Sequence, residues 1–493
     1  MKNLLNPMLL SDFYKQSHRE QYPVGTEKVF STWTARGSRM ENVDQVVLFG
    51  LQGFIKKYLI DYFNENFFNK SLEDVKESFY RMLKYTLGGE PDISHVEELH
   101  KLGYLPIEIK ALKEGTLIPT RVPCITITNT EPKFFWVTNF LETLMSCELW
   151  QPITSATIAL EYRKIVEKYA KETVGNLNHV PFQCHDFSMR GLSSVESAMT
   201  SGAGHLLSFN GTDTIPAIAY LEEYYNSDIE KELIGSSIPA TEHSVMCSYG
   251  DMNEFDLFKH LLTEVYPNGT FSAVSDTWDL WKVLIEYLPQ LKEEVLARDG
   301  KLVIRPDSGD PIKIICGDDT YQIGTPQNKG VIELLWDVFG GNINDLGYKE
   351  LDSHIGAIYG DSITVERCEE ICNQLKKKGF ASSNIVFGVG SYTYQYNTRD
   401  TFCQAMKATY AIVNGEERLL FKDPITDNGT KKSQRGLVAV IKDNNKITYV
   451  DGLNKETIKD YEETDLLEIV FQDGKLIREQ SLSGIRERLA KNL

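Results

Sequence analysis

The sequence predicts an α/β-barrel-like core and a second, mixed α+β domain built from both ends of the chain. Between about residues 155 and 390, short apolar runs alternate with helical patterns, a rhythm typical of a parallel sheet. Polar or glycine-rich clusters follow these runs, as expected at the carboxyl edge of a barrel. Both flanks lack this alternation. The barrel domain is therefore predicted at 151–390, and the second domain at 1–150 together with 391–493.

The barrel elements are predicted in chain order from apolar runs and capping residues. Strands are predicted at 153–157, 182–186, 271–274, 302–304, 355–359 and 385–387. Helices are predicted near 158–172, from the Ser193-x-x-Glu196 capping box to about 208, near 277–288 after Asp276, and over 364–378. Gly379 ends the last of these helices, because glycine readily takes the left-handed conformation.

The C-terminal flank carries two predicted antiparallel hairpins. Leu437–Lys442 and Lys446–Val450 surround an Asp-Asn-Asn turn, and Leu466–Gln472 and Lys475–Arg478 surround an Asp-Gly turn. A two-residue Asp-Gly connection favours positive φ and hence a tight hairpin. Residues 1–150 mix helices with isolated strands, so both flanks fit one α+β domain.

Composition excludes several classes of partner. The 493-residue chain has a formal net charge of −18 and a pI near 5.1, which disfavours nucleic acid and anionic membranes as partners. It has no run of 18 apolar residues and no N-terminal signal peptide. The eight cysteines show no Cys-x-x-Cys spacing, as expected in a reducing compartment. We therefore expect a cytoplasmic protein.

The segment from Lys301 to Asp310 carries the most informative chemistry. Its apolar run stops at Arg305-Pro306, because proline cannot continue a central strand, and Asp307 and Asp310 follow in a turn. An arginine and acids just past a buried strand lie where α/β proteins place their active sites. A purely structural Arg305–Asp307 ion pair explains this segment equally well.

Similar polar clusters follow the other predicted strands. They are His185-Asp186-Phe187 with Arg190, Gly211-Thr212-Asp213-Thr214, Glu242-His243-Ser244, Ser275-Asp276, Gly360-Asp361 and Gly388-Val389-Gly390-Ser391. Alone, His243 is more simply a structural histidine and Phe187 a core residue. Together, Phe187 and Arg190 suit a clamp for an aromatic ligand. The glycines let backbone N–H groups approach a phosphate. Arg399 and Lys407 follow in a locally basic stretch that suits a phosphorylated substrate.

These motifs, in this order, resemble those of the nicotinamide phosphoribosyltransferases, a type II phosphoribosyltransferase family of NAD salvage. The resemblance covers nearly the whole chain and includes Asp12-x-Tyr14-Lys15-x-x-His18, Gln21-Tyr22-Pro23, Phe49-Gly50-Leu51-Gln52, Thr398-Arg399-Asp400 and Phe421-Lys422-Asp423-Pro424. It implies that nicotinamide and phosphoribosyl pyrophosphate give nicotinamide mononucleotide and pyrophosphate. It also implies that Phe187 stacks on the pyridine ring, with Tyr14 of the other subunit on the opposite face. Arg190 and Asp213 then lie beside the carboxamide, where an acid repels nicotinate.

The resemblance assigns the other candidates to phosphoribosyl pyrophosphate, Mg²⁺ and ATP. It implies that Arg305 lies near the carboxamide and phosphate, and that Asp307 and Asp361 hold ribose hydroxyls or support Mg²⁺ with Asp276. Gly360, Gly390 and Ser391 join the substrate-binding set. It further implies that the cations binding phosphate across a homodimer interface are Arg36, Arg399, Lys407 and Lys431. By the same resemblance, ATP is expected to be a co-substrate that phosphorylates His243, assisted by Glu242.

Three positions depart from the family pattern, and three other functions stay open. Ser391 replaces a further glycine, Ala405 stands where a serine is frequent, and Glu223 stands where a basic residue is frequent. The alternatives are a nicotinate phosphoribosyltransferase, a catalytically silent binding protein on the same scaffold, and an unrelated phosphate-binding barrel enzyme such as an aldolase. Asp213 argues against the first. The presence of His243, Asp307 and Arg305 argues against the second. The strand ends carry mostly Asp and Arg, which argues against the third, although the Glu242-His243 pair keeps it open.

Overall fold

The computed structural model describes residues 6–422, 425–426 and 433–492, which divide into two compact units. The first unit comprises the described residues of 1–157, 220–227 and 397–493, and the second comprises 158–219 and 228–396. Within the described part of the chain, no helix combines the length and apolar character needed to span a bilayer.

The second unit is built on a parallel sheet of six strands, which confirms the predicted barrel-like class. The strands are β1 (Cys184–Asp186), β2 (Gly211–Thr212), β3 (Phe271–Val274), β4 (Leu302–Arg305), β5 (Ile355–Tyr359) and β6 (Ile385–Val389). Their spatial order is β2-β1-β6-β5-β4-β3, and each neighbouring pair is parallel. Most of their residues are buried, and burial on both faces explains why the strands appear as continuous apolar runs.

Residues 236–241 link the two edges of this sheet. Ser236 forms a parallel bridge with Gly211 in β2, and Ala240 forms one with Ser272 in β3. The backbone N–H of Ser272 donates to the Pro239 carbonyl at 2.9 Å. The carboxyl ends of the strands therefore surround one opening, which we call the carboxyl rim.

Helices follow most of the barrel strands, as the alternation predicts. Those of the second unit include Val195–His205, His243–Tyr249, Glu254–His260, Leu280–Lys282, Lys292–Leu296, Pro311–Cys316, Pro326–Lys329, Val331–Phe339, Val365–Lys377 and Ser391–Tyr394. Helix Ile215–Tyr224 follows β2, and a small hairpin pairs Gly341–Ile343 with Lys349–Leu351.

The strand predicted at 153–157 is wrong, because these residues lie inside the long helix Glu142–Thr173. Every residue from 151 to 160 is buried. A fully buried helix has no polar face, so its sequence pattern cannot be distinguished from that of a buried strand. The hydroxyls of Thr154 and Thr157 donate to carbonyls four residues earlier, each at 2.7 Å, so the helix satisfies their polar groups.

Two helices are capped by a residue other than the predicted one. Ser194, not Ser193, caps helix Val195–His205 by accepting the Ser197 N–H at 3.1 Å. Asp279, not Asp276, caps the helix beginning at Leu280. The predicted Asp276 cap fails because backbone groups of another loop occupy its carboxylate, as described below.

The first unit is built on an antiparallel sheet that combines strands from both chain ends. In spatial order the strands are Glu416–Leu419, Gln404–Val413, Thr26–Ala35, Pro123–Asn129, Ile107–Ala111, Glu468–Gln472 and Lys475–Leu476. Strands Gln45–Val47 and Leu117–Pro119 form a small separate pair. Helices of this unit include His18–Gln21, Leu51–Phe54, Ile55–Tyr62, Asn64–Phe68, Leu72–Leu87, Ser94–Leu102, Val137–Phe140 and Leu482–Ala490.

Both predicted C-terminal hairpins are present in the first unit. Leu437–Asp443 pairs with Lys446–Leu453 across Asn444-Asn445, whose φ values are 47° and 63°. Glu468–Gln472 pairs with Lys475–Leu476 across Asp473-Gly474, which also have positive φ. Two successive positive φ values match the turn type that fits the twist of a hairpin.

Candidate active site

Twelve of the predicted site residues lie in the second unit, at or just after the carboxyl ends of the barrel segments. They are Phe187, Arg190, Asp213, Glu242, His243, Asp276, Arg305, Asp307, Gly360, Asp361, Gly390 and Ser391. The parallel topology thus brings to one rim residues that are up to about 200 positions apart in sequence.

Three hydrogen bonds order the start of the Arg305–Asp310 loop. Arg305, the last residue of β4, donates through Nη2 to Asp307 Oδ2 at 3.2 Å. Asp276, just after β3, accepts on its Oδ2 the backbone N–H groups of Asp307 at 2.9 Å and Ser308 at 2.7 Å. Asp276 therefore fixes the start of this loop rather than the start of a helix.

Two carboxylate oxygens of this cluster remain free for a ligand. Among the described residues, none donates a hydrogen bond to the buried Oδ1 atoms of Asp276 and Asp307. Burial raises the pKa of Asp307, and this effect outweighs the opposing influence of Arg305. Because a buried acceptor without a partner costs free energy, these oxygens fit ribose hydroxyls or a hard cation.

The donor set suits Mg²⁺ only if a substrate supplies further ligands. In the described part of the chain, no three His, Cys, Asp or Glu side chains form a metal-ligand group. Mg²⁺ commonly binds through one or two protein carboxylates while phosphate oxygens and water complete its octahedron. The free oxygens of Asp276 and Asp307 are compatible with that mode.

Close backbone packing joins the Asp307 loop to the ring of Phe187. A Cβ at Gly360 would lie 2.2 Å from Asp307 Oδ1, and one at Gly388 would lie 2.5 Å from Phe187 Cδ2. The same Gly388 position is 3.0 Å from the Gly360 Cα. Glycine is required at both positions for steric reasons. The half-buried Phe187 ring and the Asp307 carboxylate consequently share one region of the rim.

Asp213 presents an oriented carboxylate directly after β2. Its backbone N–H donates to the Asp186 carbonyl at 2.9 Å, and Ser237 Oγ donates to its Oδ1 at 2.5 Å. The side chain is exposed, so its second oxygen faces solvent-accessible space. Nearby His185 is mostly buried, which lowers its pKa to about 4 and keeps the ring neutral.

Arg190 and the residues after β6 border the same rim. Arg190 is exposed on the turn Met189–Gly191. A Cβ at Gly191 would lie 2.1 Å from Ser391 Oγ, so Ser391 packs on that turn. Gly390 faces open space, because a Cβ there would meet no atom within 4 Å. Asp361 is exposed and accepts the Ser362 hydroxyl at 2.7 Å.

His243 is the first residue of helix His243–Tyr249 and lies within reach of Asp276. Its Nε2 is 3.6 Å from Asp276 Oδ1, and 48% of its side chain is exposed. Glu242 precedes it and accepts the Ser244 hydroxyl. Glu242 and His243 are thus adjacent in sequence, but the carboxylate that faces the imidazole belongs to Asp276.

The remaining predicted residues belong to the first unit. Arg36 donates through Nε to the Cys403 carbonyl at 3.3 Å, and Arg399 faces Asp400 at 3.9 Å. Lys407 faces Glu142 at 3.6 Å. Tyr14 is 58% exposed. Lys431 lies outside the described residues.

Two lysines of the first unit face the same acid, and two arginines lie close enough to one of these lysines to influence its charge. Glu142 contacts Lys15 at 2.5 Å through Oε2 and Lys407 at 3.6 Å through Oε1. Burial lowers the pKa of Lys407, and Arg36 and Arg399 lower it further while Glu142 opposes them. We call Lys15, Arg36, Arg399 and Lys407 the cationic cluster. Tyr14 and Glu142 line two cavities of about 470 and 310 Å³, the first also lined by Lys407 and the second by Arg399.

Sequence reasoning missed three residues that hold the predicted ones in place. Ser237 orients Asp213, Glu142 pairs with the cluster lysines, and Tyr359 contacts the Arg305–Asp310 loop. Ser237 and Glu142 stand in segments without any local motif. Tyr359 directly precedes Gly360-Asp361. Its place at the end of a buried apolar strand was the signal in the sequence that could have identified it.

Family comparisons cover both units of the chain. Residues 182–475 match the model of the nicotinate phosphoribosyltransferase (NAPRTase) family. Residues 6–109 match the model of the nicotinamide phosphoribosyltransferase N-terminal domain. The second match lies in the first unit, and the first match includes the whole carboxyl rim.

Individual relatives agree with these family matches. The chain is 48% identical over 501 residues to a nicotinamide phosphoribosyltransferase of Acinetobacter baylyi, covering 99% of this chain and 98% of that protein. It is 34% identical to the protein of the same name from Xanthomonas campestris pv. campestris, with the same coverages. A crystal structure of nicotinate-nucleotide pyrophosphorylase from Pyrococcus furiosus aligns at a TM-score of 0.56 over 99% of this chain and 95% of that one, with 14% identity, and so shares the fold.

Proposed function

The chain belongs to the nicotinate phosphoribosyltransferase family, and from this premise we propose that it transfers phosphoribosyl from phosphoribosyl pyrophosphate to nicotinamide. The products are nicotinamide mononucleotide and pyrophosphate, in NAD salvage. The observation that carries the choice of nicotinamide is the exposed Asp213 carboxylate, oriented by Ser237 on the same rim as Phe187.

Base selection follows from the charge of Asp213. A carboxylate accepts the N–H of a neutral carboxamide but repels the carboxylate of nicotinate, which favours the amide. Phe187 offers a ring face for stacking on the pyridine, and Arg190 supplies a donor for the carboxamide oxygen. The chief alternative, a nicotinate phosphoribosyltransferase, requires an uncharged or basic partner where Asp213 stands.

The chemistry places few demands on acid–base groups. The pyridine nitrogen attacks C1 of the ribose, the C1–O bond to pyrophosphate breaks, and no proton is transferred. Positive charge develops on the ribose in the transition state, and the Asp307 carboxylate beside it would stabilise that charge. Arg305, Asp307, Asp361 and the backbone at Gly360 and Gly390 would hold the ribose 5-phosphate in line with the base.

Mg²⁺ is part of this proposal. Asp276 and Asp307 would hold it through their free Oδ1 atoms. When bound, it neutralises charge on the pyrophosphate leaving group.

ATP would act through His243. The imidazole attacks the γ-phosphorus of ATP, an N–P bond forms, and the bond to the ADP oxygen breaks. Asp276, whose Oδ1 lies 3.6 Å from Nε2, would stabilise the positive charge that the imidazole gains as the N–P bond forms. Glu242 would assist from the adjoining position.

We further propose a two-fold homodimer with shared active sites. Tyr14, Arg36, Arg399 and Lys407, with Lys431, would complete the site of the other subunit, with Tyr14 on the free face of the base and the cations on phosphates. The support is the exposed Tyr14 ring beside a cluster of cations in an acidic chain. The free thiols suit a reducing compartment, and we place the reaction in the cytoplasm, without nucleic acid or membrane partners.

The deciding experiment is mass detection of nicotinamide mononucleotide from nicotinamide, phosphoribosyl pyrophosphate and Mg²⁺, with and without ATP. We expect product in both cases and more of it with ATP. Nicotinate, supplied in parallel at equal concentration, should yield far less product. Equal or greater turnover of nicotinate would replace the proposal by the alternative, and no turnover of either base would refute both.

A further inference from the structure

We propose that Tyr359 is a positioning residue that holds the Arg305–Asp310 loop in the shape that binds phosphoribosyl pyrophosphate, an inference that rests on the proposed function. Tyr359 ends β5 and is fully buried. Its hydroxyl donates to the carbonyl of Gly309 at 3.0 Å. Gly309 has a φ of +95°, so this carbonyl belongs to a turn that only glycine adopts readily.

The loop is fastened to both strands that flank β4. On the β3 side, Asp276 accepts the N–H groups of Asp307 and Ser308. On the β5 side, Tyr359 binds the Gly309 carbonyl, and the Gly360 N–H donates to the Pro306 carbonyl at 3.4 Å. The Asp276 contacts hold the start of the loop, and the hydrogen bond from the Tyr359 hydroxyl holds its far end.

Tyr359 suits this role because its buried phenol hydroxyl is a hydrogen-bond donor at the end of a rigid strand. The hydroxyl donates a hydrogen bond to the Gly309 carbonyl. Tyr359 acts through the loop and need not touch the substrate. Its removal should loosen the Gly309 end of the loop without deleting any substrate contact.

The test compares Tyr359→Phe with Tyr225→Phe, a matched control. Tyr225 is also fully buried, and its hydroxyl donates to Glu114 at 2.9 Å in the first unit. In Tyr359→Phe, KM for phosphoribosyl pyrophosphate should rise about five- to tenfold, which corresponds to one lost neutral hydrogen bond. KM for nicotinamide and kcat should stay within about twofold. Tyr225→Phe should leave both KM values unchanged.

Hydrogen exchange of the unliganded proteins provides a second readout that needs no activity. Peptides covering 306–312 should exchange about five- to tenfold faster in Tyr359→Phe and unchanged in Tyr225→Phe. Unchanged exchange in an active enzyme would overturn the positioning role and leave the proposed function standing. If exchange is faster in Tyr359→Phe but the wild type does not turn over phosphoribosyl pyrophosphate, the proposed function is overturned. The contact by which Tyr359 holds the loop would still be supported.

Discussion

The carboxyl rim and the cationic cluster hold their charges in different ways. On the rim, Asp186 is fully buried and accepts three donors, from the Ser188 N–H, the Ser188 hydroxyl and the Thr214 hydroxyl. Asp276 accepts two backbone N–H groups. In the cluster, by contrast, Lys15 and Lys407 face Glu142, and Arg399 faces Asp400.

This difference indicates which region already has its binding geometry before the substrate binds. Asp186 and Asp276 are fixed by neutral donors that no substrate displaces, so their geometry is preorganised. Lys15, Arg399 and Lys407 face acids, and a phosphate must compete with those acids. We therefore expect removal of the Asp307 carboxylate on the rim to affect the chemical step, and removal of a cation from the cluster to affect substrate affinity.

The largest expected effect is that of Asp307→Ala. Loss of the carboxylate beside the developing positive charge should lower kcat about 10²- to 10³-fold, a magnitude typical of one electrostatic group. Steady-state kinetics with both substrates saturating measures it. Asp319→Ala, which removes an exposed carboxylate from the same unit, serves as the control. A change confined to KM would contradict the assignment of the rim to the chemical step.

Complementation tests whether the two regions meet across subunits. A chain with Tyr14→Ala and Lys407→Ala and a chain with Asp307→Ala should each be nearly inactive. Random subunit exchange should restore about a quarter of sites, because half of the dimers are mixed and each mixed dimer has one intact site. Native mass spectrometry confirms exchange. Demonstrated exchange without recovered activity would exclude shared sites.

Asp213→Asn should relax base selection. A hydrogen bond to a charged group contributes about 1.5–3 kcal/mol, so the preference for nicotinamide over nicotinate should fall about 10- to 150-fold. The ratio of kcat/KM for the two bases measures this effect, with Asp299→Asn as an exposed control. An unaltered ratio would remove Asp213 from the base site.

His243→Ala should abolish ATP stimulation, so that the ratio of rates with and without ATP falls to about one while slow basal synthesis remains. The partly exposed His260, which faces Glu264 at 3.3 Å, provides the control His260→Ala. Wild-type protein incubated with ATP should carry acid-labile phosphate on the imidazole of His243, detectable by ³¹P NMR. Persistent stimulation in the variant would assign ATP to another group.

The smallest expected effect is that of Lys407→Ala in the cationic cluster. KM for phosphoribosyl pyrophosphate should rise about tenfold with kcat retained, because one charge-assisted contact is lost from binding. Lys446→Ala, at an exposed hairpin turn of the same unit, is the control. A fall in kcat without a change in KM would contradict the assignment of the cationic cluster to substrate affinity.

Much of the fold and the rim could be predicted because the information is local in sequence. Apolar runs located β3 to β6, and the Asp-Gly pair located a hairpin turn. The carboxyl rim followed from topology, since parallel strands end on the same side. The roles assigned to the rim residues stay predictions until they are tested by substitution.

What could not be predicted depends on partners distant in sequence. Asp276 has the spacing of a helix cap, but the N–H groups of Asp307 and Ser308, some 31 positions away, take its carboxylate. Ser237 reaches Asp213 from the segment that links the sheet edges. Glu142 meets Lys407 only through tertiary packing. No periodicity or motif encodes such pairings.

The antiparallel sheet of the first unit has a consequence for synthesis of the chain at the ribosome. Strand Thr26–Ala35 pairs with Gln404–Val413, which is translated about 370 residues later. At roughly 5–20 residues per second, that edge stays open for about 20–70 s. The barrel strands lie within residues 184–389, so they emerge together before the first unit can close. Because an open strand edge templates pairing with other chains, the nascent N-terminal strands are the part of this protein most exposed to aggregation during synthesis.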